Sequence, residues 1–163
     1  MFYFDESGFS LNSNVPYAYQ PIGATLEIPS SRSKQINVLG FLSTPTNRLE
    51  SYCFECGVDT SVVVACFNNF SKKISKKTVI IVDNAPTHHS IEFEENIPIW
   101  EEKGLFIKYL PAYSPELNLI EILWRFIKYR WMPLSAYLSY ENLVNELDNV
   151  LVQVGTEYKI DFI

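Results

Sequence analysis

The chain has 163 residues, 47% hydrophobic and 15% aromatic, with three cysteines and a formal net charge of −6. That composition supports one well-packed domain over residues 1–163 and excludes a disordered chain or a disulfide scaffold. The negative charge excludes a module that holds nucleic acid by bulk electrostatics alone. The thirteen basic residues are nevertheless uneven, with Lys72, Lys73, Lys76 and Lys77 in one cluster and Arg125, Lys128 and Arg130 in another. The opening MFYFDESGF lacks the basic and apolar regions of a signal peptide, and no apolar run approaches membrane-span length, so a cytoplasmic location without a membrane is expected.

Phe2–Phe9 reads as a strand, with Phe2, Phe4 and Glu6 on one face and Tyr3, Asp5 and Ser7 on the other. An acid in mid-strand is unusual, and taken alone Asp5 reads as an edge carboxylate facing water. Ser10–Ser33 carries Pro16, Pro21, Gly23 and Pro29 and predicts a long excursion, with a short strand at Ala24–Ile28. Gln35–Ser43 and Leu49–Val58 predict two antiparallel strands joined by a turn at Thr44–Arg48. Cys53 and Cys56 lie within the second of them. Residues three apart on a strand face opposite ways, which argues against a shared zinc and makes all three cysteines reduced packing residues. Asp59, Thr60 and Ser61 offer caps for a helix to about Ile74, with Val63, Cys66, Phe67, Phe70 and Ile74 on one face. The lysine cluster closes this helix, where cations favour the negative end of its dipole; that role explains the lysines as well as DNA binding does.

Lys77–Ser90, KTVIIVDNAPTHHS, organises the chain. The run Val79–Val82 predicts a strand buried on both faces and ending at Asp83, in the crevice beyond the strand ends where ligands bind in open α/β sheets. Ser90–Lys103 predicts a helix interrupted or restarted near Pro98 and ended by Gly104, and Leu105–Leu110 predicts a parallel strand. After Pro111 and Pro115 a helix is expected from about Glu116–Asn118 to Arg130. It carries Glu121, Arg125 and Lys128 as one polar stripe on an otherwise apolar surface, where a Glu121–Arg125 pair is the plainest role. Trp124 and Trp131 read as core. Ser139 caps a last helix, Tyr140–Val154, ended by Gly155.

Three stretches in this order, FYFDESGF, VIIVDNAPTHHS and LPAYSPELNLIEILWRFIK, resemble the DDE endonuclease domain of bacterial insertion-sequence transposases of the mariner-like superfamily. The resemblance spans residues 2 to 130. It implies an α/β, ribonuclease-H-like fold: a mixed central sheet of about five strands flanked by helices, with the first strand beside the strand that ends at Asp83. It also implies Asp5, Asp83 and Glu121 as catalytic acids and metal ligands. One departure is visible, because Leu119 stands in Asn118-Leu119-Ile120-Glu121 where the family usually has proline, which should loosen the helix start.

The chemistry so implied is metal-dependent cleavage and strand transfer of DNA, with two Mg2+ or Mn2+ ions held by hard oxygen ligands. Asp5 would bridge both ions, Asp83 would complete one site and Glu121 the other. Without metal the acids repel, so at least one pKa should be raised. Asn84 and His88 resemble residues that follow the family's second acid, and either touch phosphate or make turn hydrogen bonds. Arg125 and Lys128 either meet phosphates or pair with acids. Glu6 points away from Asp5 and reads as structural, and His89 as exposed. DNA, as transposon ends and target, is the implied partner, and a homodimer is possible within this class. The family's N-terminal helix-turn-helix region is absent from this sequence, so site-specific binding is expected to come from a separate polypeptide, an upstream frame or nowhere at all. The rival readings are an inactive transposase relic or co-opted binding domain, and another ribonuclease-H-like nuclease.

Overall fold

The computed structural model describes residues 1–11, 22–23, 34–111 and 114–162. The strand expected at Ala24–Ile28 lies outside the described residues. Strands β1 (Phe2–Ser10), β2 (Gln35–Ser43) and β3 (Arg48–Phe54) form an antiparallel meander, and β4 (Thr78–Val82) and β5 (Leu105–Tyr109) add in parallel beside β1. The sheet order is β3-β2-β1-β4-β5, which puts β1 and β4 next to each other at the centre, as the resemblance implies.

Alternation along the strands divides the apolar residues into two layers. Phe4, Leu39, Phe41, Ile80 and Val82 face α1 (Thr60–Lys73) and α2 (Ile91–Glu102), where Phe67, Phe70, Phe93 and Trp100 complete an aromatic core. Phe9, Val38 and Leu42 face the other way, against α3 (Ile120–Phe126) and α4 (Tyr140–Gln153) through Ile120, Leu123, Trp124, Leu143 and Leu147. The strand buried on both faces is β2, not β4. Every residue from Ile36 to Ser43 is buried, whereas Val79 and Ile81 of β4 are half-exposed. The reason is placement, because α3 packs on β1 and β2 and leaves the corresponding face of β4 partly open.

Several helix ends follow from local chemistry. The Asp59 carboxylate accepts from the Val62 amide at 3.0 Å to start α1, and the hydroxyls of Ser90 and Ser139 do the same for α2 and α4. Gly104 and Gly155 follow α2 and α4 with φ of 85° and 90°, in the left-handed region that glycine tolerates best. β3 stops at Phe54, so Cys56 lies beyond the strand and the alternation argument does not reach it; Cys53 and Cys56 are exposed and only Cys66 is packed inside.

The break expected at Pro98 does not occur, and α2 runs through it. Phe93 and Trp100, both fully buried, clamp the helix on either side, and tertiary packing outweighs the lost amide donor. Pro98 is exposed and leaves the Glu94 carbonyl without its helical donor. Pro98→Ala is therefore expected to raise the urea-unfolding stability by about 1–2 kcal/mol, the helix-propensity gain less the entropy returned to the unfolded chain.

Candidate active site

Asp5 sits in the middle of β1, paired with Gly40 of β2. On its other side the parallel register sets Tyr3 against Ile81, and continuing it by two residues brings Asp83 level with Asp5 on the neighbouring strand. Register partners on adjacent strands share a face, so both carboxylates rise from one side of the sheet at the carboxyl end of β4. Glu121 arrives from the first turn of α3, which lies across β1 and β2. The three acids come from distant parts of the chain to one region.

Their fields are visible in Asp5. Burial pushes its carboxyl up to about 7 from an ordinary 3.8, and the charges of Glu121 and Asp83 push the same way. The Glu6 amide and the Trp124 indole oppose the shift by hydrogen bonding to the ionised form. Trp124 Nε1 donates to Asp5 Oδ2 at 3.2 Å, and the indole lies over Gly40, where an added Cβ would come within 2.7 Å of the ring. Trp124 is thus both core, as expected, and a direct partner of the central acid. Its spacing of three from Glu121 makes the two neighbours on the helix, but only the packing of α3 on β1 brings the indole to Asp5.

Asp83 shifts the other way. Its carboxyl is held below its ordinary value chiefly by His88, whose Nδ1 lies 2.8 Å from Asp83 Oδ1, and next by the Ala85 amide at 3.1 Å. His88 Nδ1 also lies 3.2 Å from the Asp83 carbonyl oxygen; two acceptors on one side of the ring put its hydrogen on Nδ1. The ring is buried between Phe4 and Phe93, at 5.5 Å from each. His88 therefore orients Asp83 from behind instead of facing solvent.

The rest of the loop is tied to β5. Asn84 Nδ2 donates to the Leu110 carbonyl, and its Oδ1 meets His89 Nε2 at 3.0 Å. His89, exposed as expected, stacks on Tyr109 at 4.6 Å, while the Tyr109 hydroxyl donates to the His88 carbonyl. Asn84 thus makes turn hydrogen bonds, one of the two roles open to it. Glu6 is exposed and faces the opposite side of β1 from Asp5, but it lines a small cleft with Asp83, Thr87 and His88.

Around α3 the expected stripe separates. Lys128 is half-buried, its Nζ 5.1 Å from the Phe9 ring centre; burial lowers its pKa, and Glu121 and Asp5 act to raise it. Arg125 is exposed and lines a trough with Ile122, Phe126, Tyr129 and Arg130, and no ion pair joins it to Glu121 among the described residues. At about 100° per residue Lys128 falls about 20° to one side of Glu121 and Arg125 about 40° to the other, so only Lys128 turns toward the acids. Past Phe126 the helix widens into a π turn, Ile127–Trp131, where an α-helix was expected.

Asn118, fully buried, was not singled out in the sequence. Its Nδ2 donates to the Phe4 carbonyl at 3.1 Å, next to Asp5, and its backbone carbonyl accepts from the Glu121 amide. One residue thereby ties the start of the Glu121 helix to the Asp5 strand. The helix begins abruptly after a 3-10 turn, Pro115–Leu117, so this anchor holds the helix start that proline would otherwise stiffen.

A central sheet ordered β3-β2-β1-β4-β5, with helices on both faces, is a ribonuclease-H-like fold, and it carries acids on β1, after β4 and on the helix following β5. The chain belongs to the DDE superfamily endonuclease family, which it matches over residues 1–144. No curated protein matches it significantly. Among solved structures, the Mos1 strand transfer complex shares the fold with a TM-score of 0.60 and 16% identity, over 94% of this chain and 48% of that one. The Mos1 transposase paired-end complex with left transposon end gives 0.60 and 17%, over 93% and 47%. The catalytic core domain of BIV integrase gives 0.54 and 13%, over 77% and 79%. This chain thus spans about half the length of the Mos1 chains it matches.

The raised Asp5 makes stability depend on pH with a definite sign. Folded Asp5 binds its proton more tightly than the unfolded residue, so its destabilising effect grows as pH rises from about 4 to about 7, reaching a few kcal/mol. Asp83, held low, contributes in the opposite sense: its stabilisation is full above the ordinary carboxyl value and is lost as pH falls from there through the depressed folded value. Urea unfolding of wild type and Asp5→Asn is expected to show the variant relatively more stable at about pH 8 than at about pH 5. Trp124→Phe, which keeps the ring packing and removes the donor, is expected to move Asp5 further above 7 in a carboxyl-carbon NMR titration.

Proposed function

We propose that this domain performs metal-dependent cleavage and strand transfer of DNA, the chemistry of a transposase, with Asp5, Asp83 and Glu121 as its catalytic acids. The observation that carries this reading is the convergence of the three carboxylates at the carboxyl end of β4, on a fold and in a family of DDE endonucleases.

The donor set fits divalent cations. A carboxylate held largely out of water between two like charges is costly when ionised, and a cation placed among the three relieves that cost. Among the described residues no three acidic, imidazole or thiol side chains are grouped closely enough to hold one ion together, and Asp5, Asp83 and Glu121 are the residues that would hold the cations. Such hard oxygen ligands select Mg2+ or Mn2+. Bound ions of this kind would supply Lewis acidity to the attacking and leaving oxygens of a phosphodiester.

The chain's own groups do the positioning. Trp124 fixes one oxygen of Asp5, and His88 with the Ala85 amide fixes one oxygen of Asp83. Asn118 sets the depth at which Glu121 enters. Lys128, half-buried beside Glu121 and Asp5, is the cation placed to meet a phosphate at the acids, while Arg125 faces the outer side of α3. DNA ends and target DNA are the partners this chemistry requires, and a helix-turn-helix region elsewhere would supply sequence recognition.

A ligand that binds only the folded state raises the unfolding midpoint. Mn2+ is therefore expected to raise the thermal midpoint of wild type and not of Asp83→Asn, and wild type with Mn2+ should nick duplex DNA. No response to Mn2+ in wild type, with or without DNA, would sink the catalytic reading and leave an inactive relic. Preference for an RNA:DNA hybrid over duplex DNA would point to a different nuclease of the same fold.

A further inference from the structure

The lysine cluster after α1 divides in the folded chain. Lys72 and Lys73 lie in the last turn, where the helix dipole accounts for them, and Lys73 is further engaged by Glu50 and the Tyr52 ring. Lys76 and Lys77 lie beyond the helix and are not accounted for in this way. Together with Arg48, from the start of β3, they border a concavity of about 280 Å3 at the amino end of β4, floored by Phe70 and Ile74. No carboxylate lines it, and Arg48, Lys76 and Lys77 have no ion pair among the described residues. Lys73 also lines the groove but is paired with Glu50, so Arg48, Lys76 and Lys77, drawn from two distant segments of a chain of net charge −6, are its cations without an ion pair among the described residues.

We propose that this groove binds the phosphate backbone of DNA at a second site, separate from the strand presented to the acids. The proposal rests on the reading that the domain acts on DNA. Lys77 and Asp83 lie at opposite ends of β4, and six residues of strand span roughly 20 Å, about one duplex diameter. Separated cations with no acid between them suit a polymer of regularly spaced charges: duplex DNA carries a negative charge about every 1.7 Å of its axis and meets several of them at once. The polar parts of the lining, including the Ser75 hydroxyl at the rim, complement phosphate oxygens; the buried floor holds the cations at its edge.

The test is binding of a short labelled duplex of arbitrary sequence, followed by fluorescence anisotropy over a range of salt, without metal. Reversal of the three charges, Arg48→Glu with Lys76→Glu and Lys77→Glu, is expected to weaken binding about tenfold or more and to flatten the log K against log salt slope by about 2 to 3. Reversing Lys34, Arg130 and Lys159, which lie off the groove, makes the same change in net charge and is expected to leave most of the affinity. If the reversed chain fails to fold, the glutamine versions of the same three positions replace it, with about the same loss of slope expected. Equal affinity and slope in wild type and variant would overturn the second site, as would absence of binding by wild type. So would displacement of the duplex by inorganic phosphate at matched phosphate concentration, which would mark a site for single anions. The Mn2+ response of wild type and Asp83→Asn is independent of the groove, so the second site can fail while the catalytic reading stands.

Discussion

The arrangement depends on keeping one carboxylate, Asp5, in the middle of a central strand with two other acids close by. Burial and like charges together make its ionised form expensive, enough to move it to about 7. The fold tolerates this because the Trp124 indole and the Glu6 amide hydrogen-bond to the carboxylate, while the two aromatic and aliphatic layers on either side supply far more apolar burial than one strained acid removes. A protein selected for stability alone would place an apolar residue at this point.

Two tethers turn that acid into part of a site. Asn118 binds the beginning of α3 to the Phe4 carbonyl, and Trp124, one turn on, closes over Gly40 and reaches Asp5. Both contacts lock the helix that carries Glu121 against the strand that carries Asp5. A side chain at Gly40 would push the indole away, so the glycine belongs to the site as much as the residues around it. On the opposite side, His88 sits between two phenyl rings and holds Asp83 from beneath, so that neither acid relies on solvent-exposed groups for its orientation.

Charge is distributed along the sheet with the same economy. The acids gather at the carboxyl end of β4 and the uncompensated cations at its amino end, so a chain that is acidic overall still presents two chemically opposite ends. Lys128 is the exception, a half-buried cation among the acids, and burial lowers its pKa while Glu121 and Asp5 sustain its charge.

The sequence by itself determined the order of strands and helices, the central pairing of β1 with β4 and the caps at Asp59, Ser90 and Ser139, because these rest on periodicity, local hydrogen bonding and three long motifs. It misjudged the break at Pro98 and the burial of β4, since both depend on which helix covers which strand. The tertiary structure alone decided that Asn118 and Trp124 hold the acids, that His88 faces inward, that Arg125 turns away while Lys128 turns in, and that Arg48 joins Lys76 and Lys77. Each of these is a meeting of side chains that are remote in sequence or separated by a few tens of degrees around a helix. Such meetings are settled by how rigid elements pack against one another, which local residue patterns do not encode.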